Sequence, residues 1–201
     1  DVFSVQELIE AFDVKDVNPN PARFDQKKAD SINADHIRLL EPAEFESRIK
    51  PYLVADGVLP PEASDRQLQI LHAAVPLVQS RITVLSEVTG MLGFLFTASD
   101  GYEYQSDALS SLNETAPETL NASIAALENI SEENWKTDSI QETLQGALIE
   151  GLGLKPRFAF GPLRVAVSGR RVSPPLFESL EILGKEESLK RLSRLQDLLQ
   201  E

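Results

Sequence analysis

The chain has 201 residues, 42% of them hydrophobic, with a formal net charge of −13 and no cysteine. That length supports a real core in one or two domains, and the missing thiols exclude disulfides, thiolate metal sites and a cysteine nucleophile while suiting a reducing cytosol. No run approaches 18 apolar residues, so no membrane-spanning helix is expected, and with two histidines, His36 and His72, neither is a histidine metal cluster.

Asp1-Val2-Phe3-Ser4 has no basic region followed by an apolar stretch, so it does not read as a signal peptide; a start without Met directly before a helix reads as that of a fragment. Ser4 and Glu7 have capping-box spacing, with Phe3 and Leu8 placed as a hydrophobic staple, predicting a helix from about Val5 to Phe12. The Pro/Asn linker Val17–Pro21 interrupts it. Asp25 can cap a short helix reaching roughly Asn33, followed by a separate turn through Asp35–Arg38. Pro42 starts a helix with Phe45, Ile49 and Leu53 on one face, and Ser64 caps another lined by Leu68, Leu71 and Val75. Pro76 predicts a kink or a new start. Beyond it, Val78, Ile82, Leu85, Val88 and Leu92 predict one long core helix over Leu77–Phe96.

Residues 98–106 read as a loop, and Leu120, Ile124 and Leu127 mark the next helix. Asp138, with Gln141 three positions on, is expected to cap a helix ended by Gly151 and Gly153. The last helix, from about Glu186, carries Leu189, Leu192, Leu195 and Leu199 on one stripe, with Lys190, Arg191 and Arg194 on its solvated face. Trp135 is assigned to the core, as aromatics usually are. Helix signals are dense and strand signals few, so the fold class is all-α.

The most informative segment is 161–184. Pro162 is expected near a helix start, Gly169 at a turn, Ser173 as N-cap with Pro174 behind it, and Gly184 past the helix end. From Gly151 to Phe177 there is no acid but five cations, Lys155, Arg157, Arg164, Arg170 and Arg171, which leaves −18 on the remaining residues. Such a strip is where a polyanion would bind an otherwise acidic body. No catalytic constellation stands out. Gly151-Leu152-Gly153 lacks the Lys-Ser/Thr of a phosphate loop, and no carboxylate pair rises above the scattered acids.

Leu163-Arg164 through Gly169, with Pro174-Pro175-Leu176-Phe177-Glu178 and Leu183-Gly184-Lys185, closely resembles the C-terminal part of bacterial glutamyl-tRNA synthetases. Phe24-Asp25, Lys28, Asn33 and Ile37-Arg38 are similar to a second pattern of that family, in its stem-contact region. The resemblance runs from about residue 3 to the end. It implies a small helical stem-contact segment (1–40) followed by a superhelical bundle of two anticodon-binding subdomains (41–112 and 113–201).

On matching motifs, it implies anticodon contacts by Arg164, Ser173, Pro174 and Leu176, and by Arg81 toward the third anticodon base. Arg170 and Arg171 suit RNA phosphates. An arginine fork can read a base edge or stack on it, and an anticodon offers unstacked bases. The helix start at Ser173-Pro174 would leave free backbone donors for an RNA acceptor. The alternative role for Arg164 is an ordinary ion pair. The resemblance further implies a cytoplasmic, monomeric glutamate–tRNA ligase that uses ATP and magnesium, with tRNA as partner and no membrane. The ATP-site motifs of that family are missing from this chain, so the chain alone is expected to hold no cofactor and to catalyse nothing. A helical protein-interaction module is the alternative function.

Overall fold

Helices account for nearly all the regular structure, and their ends follow local chemistry. A computed structural model describes residues 2–18, 23–99 and 101–200, among which there is no strand. The linker expected over Val17–Pro21 lies partly outside the described residues.

Helix α1 (Val5–Ala11) has its capping box between Ser4 and Glu7. It buries no residue, and Phe3 and Leu8 are both exposed. Asp25 caps α2 through the Lys28 amide, but α2 runs unbroken over Gln26–Arg38 instead of stopping near Asn33. Tertiary contacts extend it. Ala34 and Ile37 are buried, and the Gln79 amide nitrogen donates to the Ile37 and Leu40 carbonyls at 2.9 and 2.7 Å, satisfying groups a helix end leaves open.

Helices α3 (Pro42–Ala55) and α4 (Asp65–Val78) pack together. Phe45, Ile49 and Leu53 are fully buried, and Ser64 with Gln67 completes a capping box on α4. Pro76 lies inside α4 near its end, so it removes one late hydrogen bond and the helix stops at Val78.

The long helix expected over Leu77–Phe96 does not form. The chain turns after Gln79, passes a 3₁₀ turn at Leu85–Glu87, forms the short α5 (Val88–Leu92) and closes on a 3₁₀ turn at Gly93–Phe96. Glu87 resets the backbone by accepting from the Thr83 amide at 2.7 Å and the Thr83 hydroxyl at 2.9 Å. The apolar spacing survives because Val78, Ile82, Val88 and Leu92 are all buried. Periodicity therefore reported burial correctly and continuity wrongly. The break carries Arg81 out of any helix onto an exposed turn.

After α6 (Ser106–Leu109), α7 (Ala116–Leu127) packs against α8 (Thr137–Leu144), which widens into a π-helical turn at Gln145–Gly151. Asp138 does not cap α8. The Glu181 carboxylate does so from a distant helix, accepting from the Thr137 amide at 2.7 Å and the Thr137 hydroxyl at 2.6 Å. The Thr137 hydroxyl bond is the main reason the Glu181 pKa lies below the ordinary carboxylate value. Trp135 is buried and donates to the Leu180 carbonyl at 2.9 Å.

Helix α9 (Pro156–Ser168) begins at Pro156, and Pro162 lies in its interior. Gly169 ends it in the left-handed conformation, φ 69°. A side chain there would place Cβ 2.7 Å from the Glu103 carbonyl oxygen, so both the angle and the space require glycine. Helix α10 (Leu176–Leu183) starts after Pro175 with no side-chain cap, so Ser173 and Pro174 precede the helix rather than open it. Gly184 stops it and α11 (Lys185–Leu198) follows. Helix α11 packs on α7 and α9, while α10 contacts α4, α8 and α9, and one hydrophobic cluster runs from Ile37 to Leu195.

Of the three cations expected on the solvated face of α11, Lys190 is there, paired with Glu186. Arg191 is fully buried. It donates from Nε to Glu187 at 2.8 Å, from Nη1 to the Val167 carbonyl at 2.7 Å, and from Nη2 to the Thr97 carbonyl. Arg194 donates to the Ser99 and Tyr102 carbonyls, and both guanidinium groups lie within about 5 Å of the Tyr102 ring centre. These carbonyls belong to segments remote in sequence, so α11 is clamped rather than solvated on this side.

Candidate nucleic-acid interface

The end of α9 is held from several directions. Tyr102 donates its hydroxyl to the Ala166 carbonyl, the Gln105 amide donates to the Gly169 carbonyl at 2.9 Å, and Arg191 takes the Val167 carbonyl. Burial, reinforced by Tyr104, pushes the Tyr102 phenol well above its usual pKa, so it stays a neutral donor. This scaffold fixes the direction in which Arg170 and Arg171 leave the turn.

Arg170 and Arg171 line a cleft of about 520 Å³ together with Arg81 from the turn after α4. Gly90 on α5 lies under Arg170, because a Cβ at that position would stand 3.2 Å from its Nη1. Arg171 also borders a second cleft of about 350 Å³, which it shares with Arg157, Phe160 and Arg164. The two clefts therefore meet at Arg171.

Arg164 is half-buried and its Nη1 donates to the Ser173 hydroxyl at 2.8 Å, the Ser173 carbonyl at 3.3 Å and the Pro174 carbonyl at 2.8 Å. Its Nε and Nη2 have no protein partner among the described residues. Burial is the main influence lowering its pKa, followed by the Arg81 cation, with Glu178 opposing both. It remains a cation at any physiological pH. The Arg81 cation thus bears on Arg164 electrostatically, although 83 positions separate them.

Among the described residues, none of Arg81, Arg157, Arg164, Arg170 and Arg171 forms an ion pair. In a chain of −13, a group of unpaired arginines around two shared clefts is an anion-seeking surface. No carboxylate comes within 4 Å of the Arg164 guanidinium among the described residues, although Glu178 is near enough to favour its charge.

Other expected site residues lie deeper. Pro174 is buried and Leu176, 4% exposed, joins the core, so both support the surface from beneath. Ser173 is partly exposed and is held by Arg164. Because α10 starts only at Leu176, Ser173 and Pro174 do not present the open helix terminus that the sequence suggested.

Phe160, Asp107 and Gln105 were not singled out from sequence, and Arg157 only as one cation of the acid-free strip. Arg157, Phe160 and Arg164 stand at i, i+3 and i+7 on α9, a spacing that puts them on one face. Phe160 packs edge-on against Phe177, with ring centres 5.2 Å apart. Asp107 and Gln105 reach the first cleft from the 102–109 segment, which no motif marks. The strip that is free of acids in sequence thus meets a carboxylate in space.

Residues 44–196 match the family model for the anticodon binding domain. The chain belongs to the anticodon-binding domain family. All seven expected site residues fall within the matched span of this anticodon-binding domain. It is 60% identical over 195 residues to the glutamate–tRNA ligase of Leifsonia xyli subsp. xyli, covering 97% of this chain and 40% of that protein. It is 56% identical over 199 residues to the glutamate–tRNA ligase of Kineococcus radiotolerans, covering 99% and 39%.

The anticodon-binding domain thus spans about 40% of the length of these curated relatives. Its fold matches the crystal structure of a glutamate tRNA ligase from Elizabethkingia meningosepticum with a TM-score of 0.78 and 23% identity, over 98% of this chain and 37% of that one. No helix among the described residues is long and apolar enough to cross a membrane, and no group of three or more His, Cys, Asp or Glu among them could hold a metal ion.

Proposed function

We propose that this chain binds the anticodon arm of a glutamate-accepting tRNA, as the C-terminal portion of a monomeric cytoplasmic ligase whose remaining part uses ATP and magnesium to glutamylate that tRNA. One observation carries the reading. Arginines from two distant segments, Arg81 on one side and Arg157 to Arg171 on the other, converge on adjoining clefts without ion pairs. An anticodon loop supplies what such clefts accept, namely unstacked bases for arginine and phenylalanine and phosphates at the rim.

The parts then divide by position. Arg170 and Arg171 at the rim hold backbone phosphates. Half-buried Arg164, with Nε and Nη2 unused, faces a base edge, and Arg81 addresses a further base across the first cleft. Ser173, Pro174 and Leu176 set the position of Arg164. The 41–112 subdomain contributes Arg81 and the 113–201 subdomain contributes the rest, while 1–40 is assigned to the stem-contact region.

The rim assignment is tested by measuring Arg171→Ala against anticodon stem-loops of different sequence over a series of salt concentrations. A phosphate contact predicts weaker binding of every loop to a similar degree, and a salt slope (log K against log [salt]) shallower by about 1. An unchanged slope removes Arg171 from the phosphate contacts.

A further inference from the structure

The cleft formed by Arg81, Arg170 and Arg171 also contains Asp107 and Gln105, along with Ser86 and Glu87. The two acids differ. The Glu87 carboxylate is committed to Thr83. Asp107, in the first turn of α6, has no hydrogen bond or ion pair among the described residues, although three arginines line the same cleft. The Gln105 side-chain amide is equally unused, while its backbone amide is tied to Gly169.

A carboxylate in a cleft that binds RNA works against phosphate, because the two repel. It is compatible with the ligand only if it accepts a hydrogen from it. Nucleobases offer that hydrogen in a form that distinguishes them. Cytosine, adenine and guanine each present an exocyclic amino group to a carboxylate, whereas uracil has none and flanks its single N3–H with two keto oxygens that repel it. Aspartate accepting from the cytosine amino group is an established base-edge pairing. The neighbouring arginines supply donors for the ring nitrogen or carbonyl beside that amino group.

We infer that Asp107, with Gln105 beside it, is a specificity-determining acceptor in the arginine cleft, selecting a base that presents an exocyclic amino group. The inference rests on the proposed binding of an anticodon loop to this surface. It adds a negative element to that surface, where discrimination comes from excluding the base without an amino group as well as from holding those that have one.

The test measures affinities of the full 201-residue chain and of Asp107→Asn and Asp107→Glu for stem-loops in which each anticodon position carries each of the four bases. At one position the parent should prefer cytosine, adenine or guanine to uracil by about tenfold. Asp107→Asn should flatten that preference there and nowhere else, because its amide donates as readily as it accepts. Asp107→Glu, which keeps the acceptor, should retain the sign of the preference.

Equal tightening of all loops by Asp107→Asn would make Asp107 a merely repulsive charge and overturn the inference, leaving the interface itself standing. A loss that follows removal of the 2′-hydroxyl at that nucleotide, rather than the change of base, would also overturn it. A parent that binds none of the loops would remove the interface and the inference together.

Discussion

Arg191→Ala is expected to lower the unfolding free energy by about 3–5 kcal/mol, measured by denaturant unfolding monitored at the buried Trp135. Arg191 is completely buried, and its three nitrogens serve Glu187, the Val167 carbonyl and the Thr97 carbonyl. Truncation leaves those groups without their donor in the interior and opens space beside the Tyr102 ring, 4.8 Å from the guanidinium. Unmet buried acceptors carry most of the cost. Arg191→Lys should recover little, since an ammonium cannot reach three acceptors arranged for a planar fork. A loss below about 1 kcal/mol in Arg191→Ala, typical of a surface ion pair, would show that the clamp does not hold α11 to α9 and the 97–102 segment.

The second large effect falls on recognition. Arg164→Ala is expected to weaken binding of the cognate anticodon loop by about 1–3 kcal/mol and to weaken a mismatched loop less, so that discrimination narrows. Two losses combine. One is the base-edge contact by Nε and Nη2, and the other is the hold of Nη1 on Ser173 and Pro174. Arg164→Lys separates them from simple charge. It keeps the cation, so its salt slope should match the parent, while its discrimination should fall toward that of Arg164→Ala. Equal effects on cognate and mismatched loops would reduce Arg164 to a structural tie for the 173–174 segment.

Local chemistry made much of this molecule readable. Ser4 with Glu7, Asp25, and Ser64 with Gln67 are capped starts that the structure reproduces, because a cap involves residues three apart. Gly169 and Gly184 end their helices with positive φ. Phe45, Ile49 and Leu53 are buried as their spacing requires.

What stayed hidden depends on contacts between distant segments. Leu77–Phe96 keeps helical spacing of apolar residues although the backbone breaks, since Pro76 and the Thr83–Glu87 bonds act through the main chain. The cap of α8 comes from Glu181, 44 residues away, and displaces the local candidate Asp138. Arg191 lies on a stripe next to leucines and looks solvated until the Thr97 carbonyl arrives from 94 positions earlier. In the candidate site, Arg164, Arg170 and Arg171 were legible from charge and from family resemblance. Arg157 and Phe160 were accessible from helical spacing on α9. Asp107 was not, because it stands on the short helix α6, which no sequence pattern ties to the cleft.

Under the proposed function, the two arginine-lined clefts meeting at Arg171 are where this domain holds RNA. Mapping amide chemical-shift changes in the 201-residue chain on titration with a glutamate-tRNA anticodon stem-loop addresses it directly. The largest changes are predicted at 81–91, 105–107, 157–164 and 170–173, saturating together and fading as salt rises. Changes concentrated on α1 or the outer face of α11, with those four stretches unmoved, would contradict it.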